Sequence, residues 1–251
     1  MTTLSALYAD LSGYYDRFCL EVDYAAQCAF ADRVARTFGD SGGKDYLDLA
    51  CGTGQLLAHM MARGYTGTGL DNSQAMLDLA ARRCPEAHWL CCDLATFDTP
   101  GRFDLITCFL YSMHYAYPRP AFQETLRRAH AALRPGGVLL FDLVDKAGIG
   151  ERDAVTQHAE GDAHFTFRSG WRYAGSGDAL DLQVRIERED ASGVQRWEDR
   201  HTMSAIGIAE VRLALQAIGF EATVLERDFT TLREWSGKNY NVMMVGVKPE
   251  V

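Results

Sequence analysis

No stretch of the 251-residue sequence approaches the roughly 18 consecutive apolar residues that a membrane span needs, so no spanning helix is expected. None of the seven cysteines falls in a C-x-x-C pair, and several sit inside apolar runs. Buried thiols in a reducing compartment explain such cysteines better than disulfides do. The opening MTTLSALYADLSGYYD lacks both the basic flank and the apolar core of a secretion signal, and a cytoplasmic protein is expected. H-E-x-x-H, G-x-S-x-G and G-x-x-x-x-G-K-[ST] are all missing, which removes support for zinc-protease, serine-hydrolase and P-loop chemistry. His158, His164 and His201 are scattered and Cys91-Cys92 has no partner pair, so no metal site is expected. Basic charge is scarce: 25 Lys and Arg stand against 34 acidic residues, a formal charge of −9, with no block of clustered cations. Nucleic acid is therefore not the expected partner. The arginines between Arg168 and Arg200 alternate with acids and read as a solvated mixed-charge face.

What is present is the composition of a folded domain, 47% hydrophobic and 24% charged, without repeats or low-complexity tracts. From Tyr46 to Val144, short apolar runs alternate with helical patterns. YLDLA, YTGTGL, AHWLCC, FDLITCFL and GVLLFDLV are apolar on successive positions, as strands covered on both faces should be. GQLLAHMMARG ends in Gly64 as a C-cap, SQAMLDLAARR opens with Ser73 as an N-cap, and FQETLRRAHAAL runs into the stop Arg134-Pro135-Gly136-Gly137. This alternation predicts right-handed crossovers and an open α/β, Rossmann-like, mostly parallel sheet of seven strands with helices on both faces. Residues 163 to 204 read as an inserted three-stranded antiparallel meander with one wet face, because Leu180, Leu182, Val184 and Ile186 alternate with polar partners. A helix over Ile208 to Ile218 and two antiparallel strands follow, giving the sheet an antiparallel last strand. The expected organisation is a helical lid over 1–40, a cofactor-binding core over 41–150, a β insertion over 151–205 that roofs a substrate pocket and is a candidate homodimer contact, and core-completing elements over 206–251.

Ligands of open α/β sheets bind beyond the carboxyl ends of the strands, where strand order reverses. The first strand ends there in Asp48-Leu49-Ala50-Cys51-Gly52-Thr53-Gly54. A dinucleotide fingerprint requires a third glycine where Leu57 stands, and a carboxylate at Asp48 repels phosphate and attracts a cation. The loop thus favours a ligand with a positive group. Asp71 ends the second strand 17 residues beyond Gly54, placed to accept hydrogen bonds from a ribose diol, and Asp93 ends the third strand within reach of an adenine amino group.

LDLACGTG, TGTGLDNSQAML, LCCDLATFD, FDLITCFLYSMHY and LRPGG, in that order, resemble the motif set of the class I S-adenosylmethionine-dependent methyltransferases. The resemblance is strong over residues 45 to 145. The layout of the remainder is similar to small-molecule N-methyltransferases, such as those acting on amino-sugars. It implies that S-adenosylmethionine is the cofactor and that Asp48, Ala50 and Gly52 hold its methionine end. It further implies that Asp71 binds the ribose, Asn72 and Met76 flank ribose and adenine, Asp93 and Leu94 recognise adenine, and Phe109 lines the pocket. Tyr15 and Tyr24 match the lid that closes over the cofactor.

Methyl transfer from a sulfonium is an in-line displacement in which the protein mainly aligns the reactants. An ammonium nucleophile must lose a proton, and His114, just past the fourth strand, is the candidate base; an ordinary loop histidine is the alternative reading. Tyr111 and Tyr115 are read either as substrate-pocket walls or as core packing. Cys51 is read as structural. The expected activity is N-methylation of a small molecule, with O-methylation, transfer-RNA modification and nicotinamide-dependent oxidoreduction as the alternatives.

Overall fold

The computed structural model describes residues 12–150 and 153–250, with side chains from residue 15 onward. Tyr8, part of the N-terminal tyrosine segment, lies outside the described residues, as does the side chain of Tyr14. Five strands, β1 (Asp45–Leu49), β2 (Thr66–Asp71), β3 (His88–Cys91), β4 (Phe103–Cys108) and β5 (Leu133–Val144), are mutually parallel. Two later strands, β10 (Glu221–Glu226) and β11 (Asn241–Val247), complete a seven-stranded sheet in the order β10-β11-β5-β4-β1-β2-β3. β11 runs antiparallel to both neighbours, as expected for a return reached by a short joint. Strand order reverses between β1 and β4, which opens a cleft at their carboxyl ends.

Helices cover both faces because the strands are apolar on both. α2 (Tyr24–Phe38) and α3 (Gln55–Ala62) bury Phe30, Val34, Leu57 and Met60 on one face. α5 (Arg119–Ala132) and α6 (Ile208–Ile218) bury Phe122, Leu126, Val211 and Leu215 on the other. The caps fall where the sequence marks them: the Ser73 hydroxyl accepts the Met76 N–H at the start of α4 (Gln74–Arg83), and Gly64 follows α3 in the left-handed region. Among the described residues, no helix is long and apolar enough to cross a membrane, and all seven cysteines are free thiols.

The insertion differs from expectation by one strand. β7 (Ala163–Arg172), β8 (Ala179–Asp190) and β9 (Gly193–Ser204) form the expected meander, but β6 (Asp153–Glu160) pairs with β7 to make a four-stranded antiparallel sheet. Its sequence, DAVTQHAE, has no apolar stripe because β6 is an edge strand exposed on both faces. Burial does not write a pattern there. The buried face carries Phe165, Phe167 and the alternating Leu180, Leu182, Val184 and Ile186, and it packs against Phe18, Tyr115 and Trp171. The four-stranded sheet thus stands over the short helix α1 (Ser12–Phe18) and the loop after β4.

Arg134 to Gly137, expected as a stop and turn, lies within β5 as a bulge that shifts its register against β4 between Phe103 and Leu105. Gly136 makes this possible. Its φ is +73°, its N–H donates to the Lys248 carbonyl at 2.8 Å, and its carbonyl accepts the Asp40 N–H at 2.9 Å. A Cβ at this position would come within 2.7 Å of the Ser41 nitrogen and 2.9 Å of the Asp40 carbonyl carbon. Gly136→Ala is expected to lower unfolding free energy by about 1 to 3 kcal/mol in urea titration without changing the circular dichroism of the folded state.

Candidate active site

A narrow cleft of about 30 Å³ opens at the carboxyl ends of β1 and β4. Its floor is the loop Ala50 to Thr53, in which Ala50 and Gly52 both have positive φ. Tyr15 from α1 and Tyr24 at the start of α2 stand on one side, and Phe109, Leu110 and Ser112 on the other. Asp48 projects from β1 and is 4% exposed. The Thr107 hydroxyl on adjacent β4 donates to its Oδ1 at 2.9 Å and lies 2.6 Å from the Tyr46 hydroxyl. Burial nevertheless dominates and pushes the Asp48 carboxyl up to about 7, with the Thr107 and Tyr46 hydroxyls opposing. Gln27 of α2 lines the same cleft, 3% exposed, with its Oε1 buried and without a hydrogen-bond partner among the described residues. Two buried acceptors on one cleft wall suit a donor-rich cation.

Asp71 holds the loop in shape. Its Oδ2 accepts the Gly52 N–H and its Oδ1 the Ser73 N–H, each at 2.9 Å. Burial raises its pKa, while the N–H groups of Ser73, Gly52 and Asn72 oppose the rise. The structure therefore brings Tyr15, Tyr24, Asp48, Ala50, Gly52 and Phe109 together around the cleft, with Asp71 behind its floor. Asn72, Met76, Asp93 and Leu94 do not line this cleft: Asn72 and Asp93 are exposed, and Met76 and Leu94 are buried. The Asp93 Oδ1 accepts the Ala95 N–H at 2.9 Å and so shapes the turn after β3. Cys51 is a buried thiol pushed well above its ordinary pKa, foremost by burial, which fits the structural reading.

His114 is not arranged as a base. It is fully buried in the 3-10 turn Ser112–Tyr115, with Nδ1 2.8 Å from the Ser204 carbonyl and Nε2 accepting the Val144 N–H at 3.2 Å. A proton on Nδ1 satisfies both bonds and leaves no lone pair for a substrate. Burial lowers the pKa to about 4, so the ring is neutral at physiological pH and pins the turn to β5 and β9. Tyr111 and Tyr115 lie at the boundary with the second sheet, not in the cleft lining: Tyr111 packs edge-on against Trp171 at 5.8 Å and Tyr115 against His201 at 5.5 Å.

Several residues at the site carry no sequence signal that singles them out. Asp16 of α1 accepts the Thr53 hydroxyl at 2.5 Å and an Arg83 N–H at 2.7 Å, while Arg83 also donates to the Thr53 carbonyl. The next residue, Arg17, pairs with Glu160 at the end of β6, and Phe18 packs on Phe167 at 5.5 Å. α1 thereby touches the glycine loop with one side and the four-stranded sheet with the other. Each of these partners is remote in sequence, so local spacing could not reveal it.

Residues 47–137 match a family model described as a methyltransferase domain. The chain is 32% identical over 210 residues to the dTDP-4-amino-2,3,4,6-tetradeoxy-D-glucose N,N-dimethyltransferase of Saccharopolyspora spinosa, covering 81% of each chain. This chain belongs to the S-adenosylmethionine-dependent methyltransferases. The sugar N-methyltransferase KedS8 from a Streptoalloteichus species superposes with a TM-score of 0.81 at 25% identity, over 94% of this chain and 93% of that one. The amino pentose methyltransferase CalS10 of Micromonospora echinaspora, solved with S-adenosylmethionine bound, shares the fold with a TM-score of 0.73 at 24% identity, over 90% of each chain. The methyltransferase is thus an enzyme that takes its methyl group from S-adenosylmethionine and acts on a small molecule.

The raised pKa of Asp48 has a consequence for stability. The unfolded chain ionises this carboxyl near 3.8 and the folded chain near 7, so the group opposes folding increasingly as pH rises from about 4 and opposes it fully above about 7. Asp48→Asn is expected to raise the melting temperature of the free protein, by a margin that grows between about pH 5 and about pH 8 in calorimetry. A gain that is constant across this range would contradict the assignment.

Proposed function

We propose that this methyltransferase methylates the amino nitrogen of a nucleotide-linked amino sugar. The observation that carries the reading is the 81% match to a dTDP-amino-sugar N,N-dimethyltransferase, a span that must include the four-stranded sheet as well as the parallel core. A polar cavity of about 450 Å³ supports it. Arg227, Arg233, Lys238 and Asn239 line that cavity together with the acids Glu226 and Asp228, and Arg227 also stacks on Tyr111 in the loop after β4. Cations and amides of this kind suit a phosphate-bearing sugar.

S-adenosylmethionine, when bound, supplies a methyl group on a sulfonium that needs no further activation. The chain's task is to bind, orient and exclude water. Asp48 and the unpartnered Gln27 Oε1 would accept from the ammonium of the methionine end, with Ala50 and Gly52 letting the backbone approach. Asp71, already fixing Gly52, would meet the ribose diol. Asn72, Met76, Asp93 and Leu94 would border the adenine. Tyr15 and Tyr24 would close the cleft under the Asp16–Thr53–Arg83 latch, and Phe109, Leu110 and Ser112 would face the acceptor.

With His114 sealed, no side chain at the loop after β4 is poised to take a proton. An amine whose pKa is near 8 is about one-tenth unprotonated at neutral pH, which allows deprotonation by water before attack. Alignment then supplies the acceleration, on the order of 7 to 11 kcal/mol at best.

Calorimetry should show one S-adenosylmethionine per chain, bound at least tenfold more weakly by Asp71→Ala, because both the loop and the diol contact are lost. Affinity should rise with pH through about 7 as Asp48 ionises, and Asp48→Asn should flatten that rise. In a panel of amine and alcohol acceptors that includes dTDP-amino sugars, methyl transfer should appear on amines. Turnover of alcohols alone would replace the nitrogen reading with O-methylation, and absence of cofactor binding would overturn both.

A further inference from the structure

The turn that leaves β4 is strained at two consecutive residues. Leu110 has φ +57° and Tyr111 φ +60°, both in the left-handed region that disfavours side chains with a Cβ. Neither is glycine, asparagine or aspartate, the residues that tolerate this conformation best. Such a pair persists only where its surroundings over-determine it.

The surroundings come from two distant parts of the chain. Asp142, fully buried near the end of β5, accepts the Tyr111 N–H at 2.7 Å through Oδ1. Its Oδ2 accepts the Arg227 Nε–H at 3.0 Å. Arg227, just beyond β10, lies between two rings, 4.8 Å from the Tyr111 centroid and 4.9 Å from that of Phe229. Burial pushes the Asp142 carboxyl up and the Arg227 guanidinium opposes this. The two residues flanking Tyr111, Leu110 and Ser112, line the cleft.

We propose that Asp142 and Arg227 are positioning residues, a buried acid and an aromatic-stacked cation that together hold the left-handed Leu110–Tyr111 turn and so set the cleft wall facing the methyl group. An ion pair kept for stability alone would have no reason to end on the N–H of a strained turn. The proposal rests on the reading of the cleft as the cofactor site.

S-adenosylhomocysteine is the probe, with affinity measured by calorimetry in a double-mutant cycle. Arg227→Met keeps the stem between the rings and removes the hold on Asp142; it should weaken binding about tenfold as the turn relaxes. Leu110→Gly relieves the strain at the first of the two left-handed residues, so less of the turn depends on the clamp. In that background Arg227→Met should weaken binding distinctly less, by about threefold. Asp142→Asn, which leaves an acceptor for Tyr111 but loosens Arg227, should show a smaller loss, again rescued by Leu110→Gly, and it replaces Arg227→Met in the cycle if that variant does not fold. A purely structural role would lower affinity and melting temperature equally in both backgrounds. Equal losses, or an unchanged affinity in the single variant, overturn the clamp while wild-type binding leaves the cofactor reading standing. A wild type that does not bind the probe removes both.

Discussion

A carboxylate held out of water at the point where strand order reverses is the constraint on which the rest of the site depends. Asp48 lies on β1 beside Thr107 of β4, and the Thr107 and Tyr46 hydroxyls do not replace the hydration it has lost. The group is thus poised between its neutral and charged forms, and a cation entering the cleft is what tips it. Gln27 adds a second buried acceptor that no group among the described residues satisfies. This pairing distinguishes the loop from a phosphate site on a similar sheet, where backbone N–H groups would be aimed at an anion. The folded protein carries the electrostatic cost of Asp48, which a positive group bound in the cleft would offset.

Around that acid, a few long-range contacts give the loops their shapes. Asp71 fixes the glycine loop from β2, His114 pins the turn after β4 to β5 and β9, and Asp142 holds the strained residues just ahead of it. All three are buried or half-buried polar groups whose hydrogen-bonding capacity is taken up mainly by backbone. Their role is to place backbone rather than to exchange protons. A reaction driven by alignment needs this more than it needs acid–base groups.

The second sheet is joined to the glycine loop after β1 through one short helix. α1 presents Asp16 to Thr53 and Arg83, and Arg17 and Phe18 to Glu160 and Phe167. Closure over the loop and docking of the sheet therefore involve adjacent residues of the same helix. Trp171 of β7 meets both Tyr111 and His114, so the second sheet also bears on the turn after β4.

The sequence by itself determined the parallel core, the glycine loop and the acids at the strand ends, because burial on two faces, helix capping and tight turns each impose residue types at short, regular spacing. β6 escaped notice because an edge strand exposed on both faces needs no apolar pattern. Only the tertiary structure decided that His114 is sealed, since its partners Ser204 and Val144 come from separate strands. It alone decided that Arg227 reaches Asp142 across 85 residues and that Asp16 latches onto Arg83 across 67. A polar side chain's role is set by whichever donors and acceptors the folded chain brings within about 3 Å, and no local periodicity encodes that meeting.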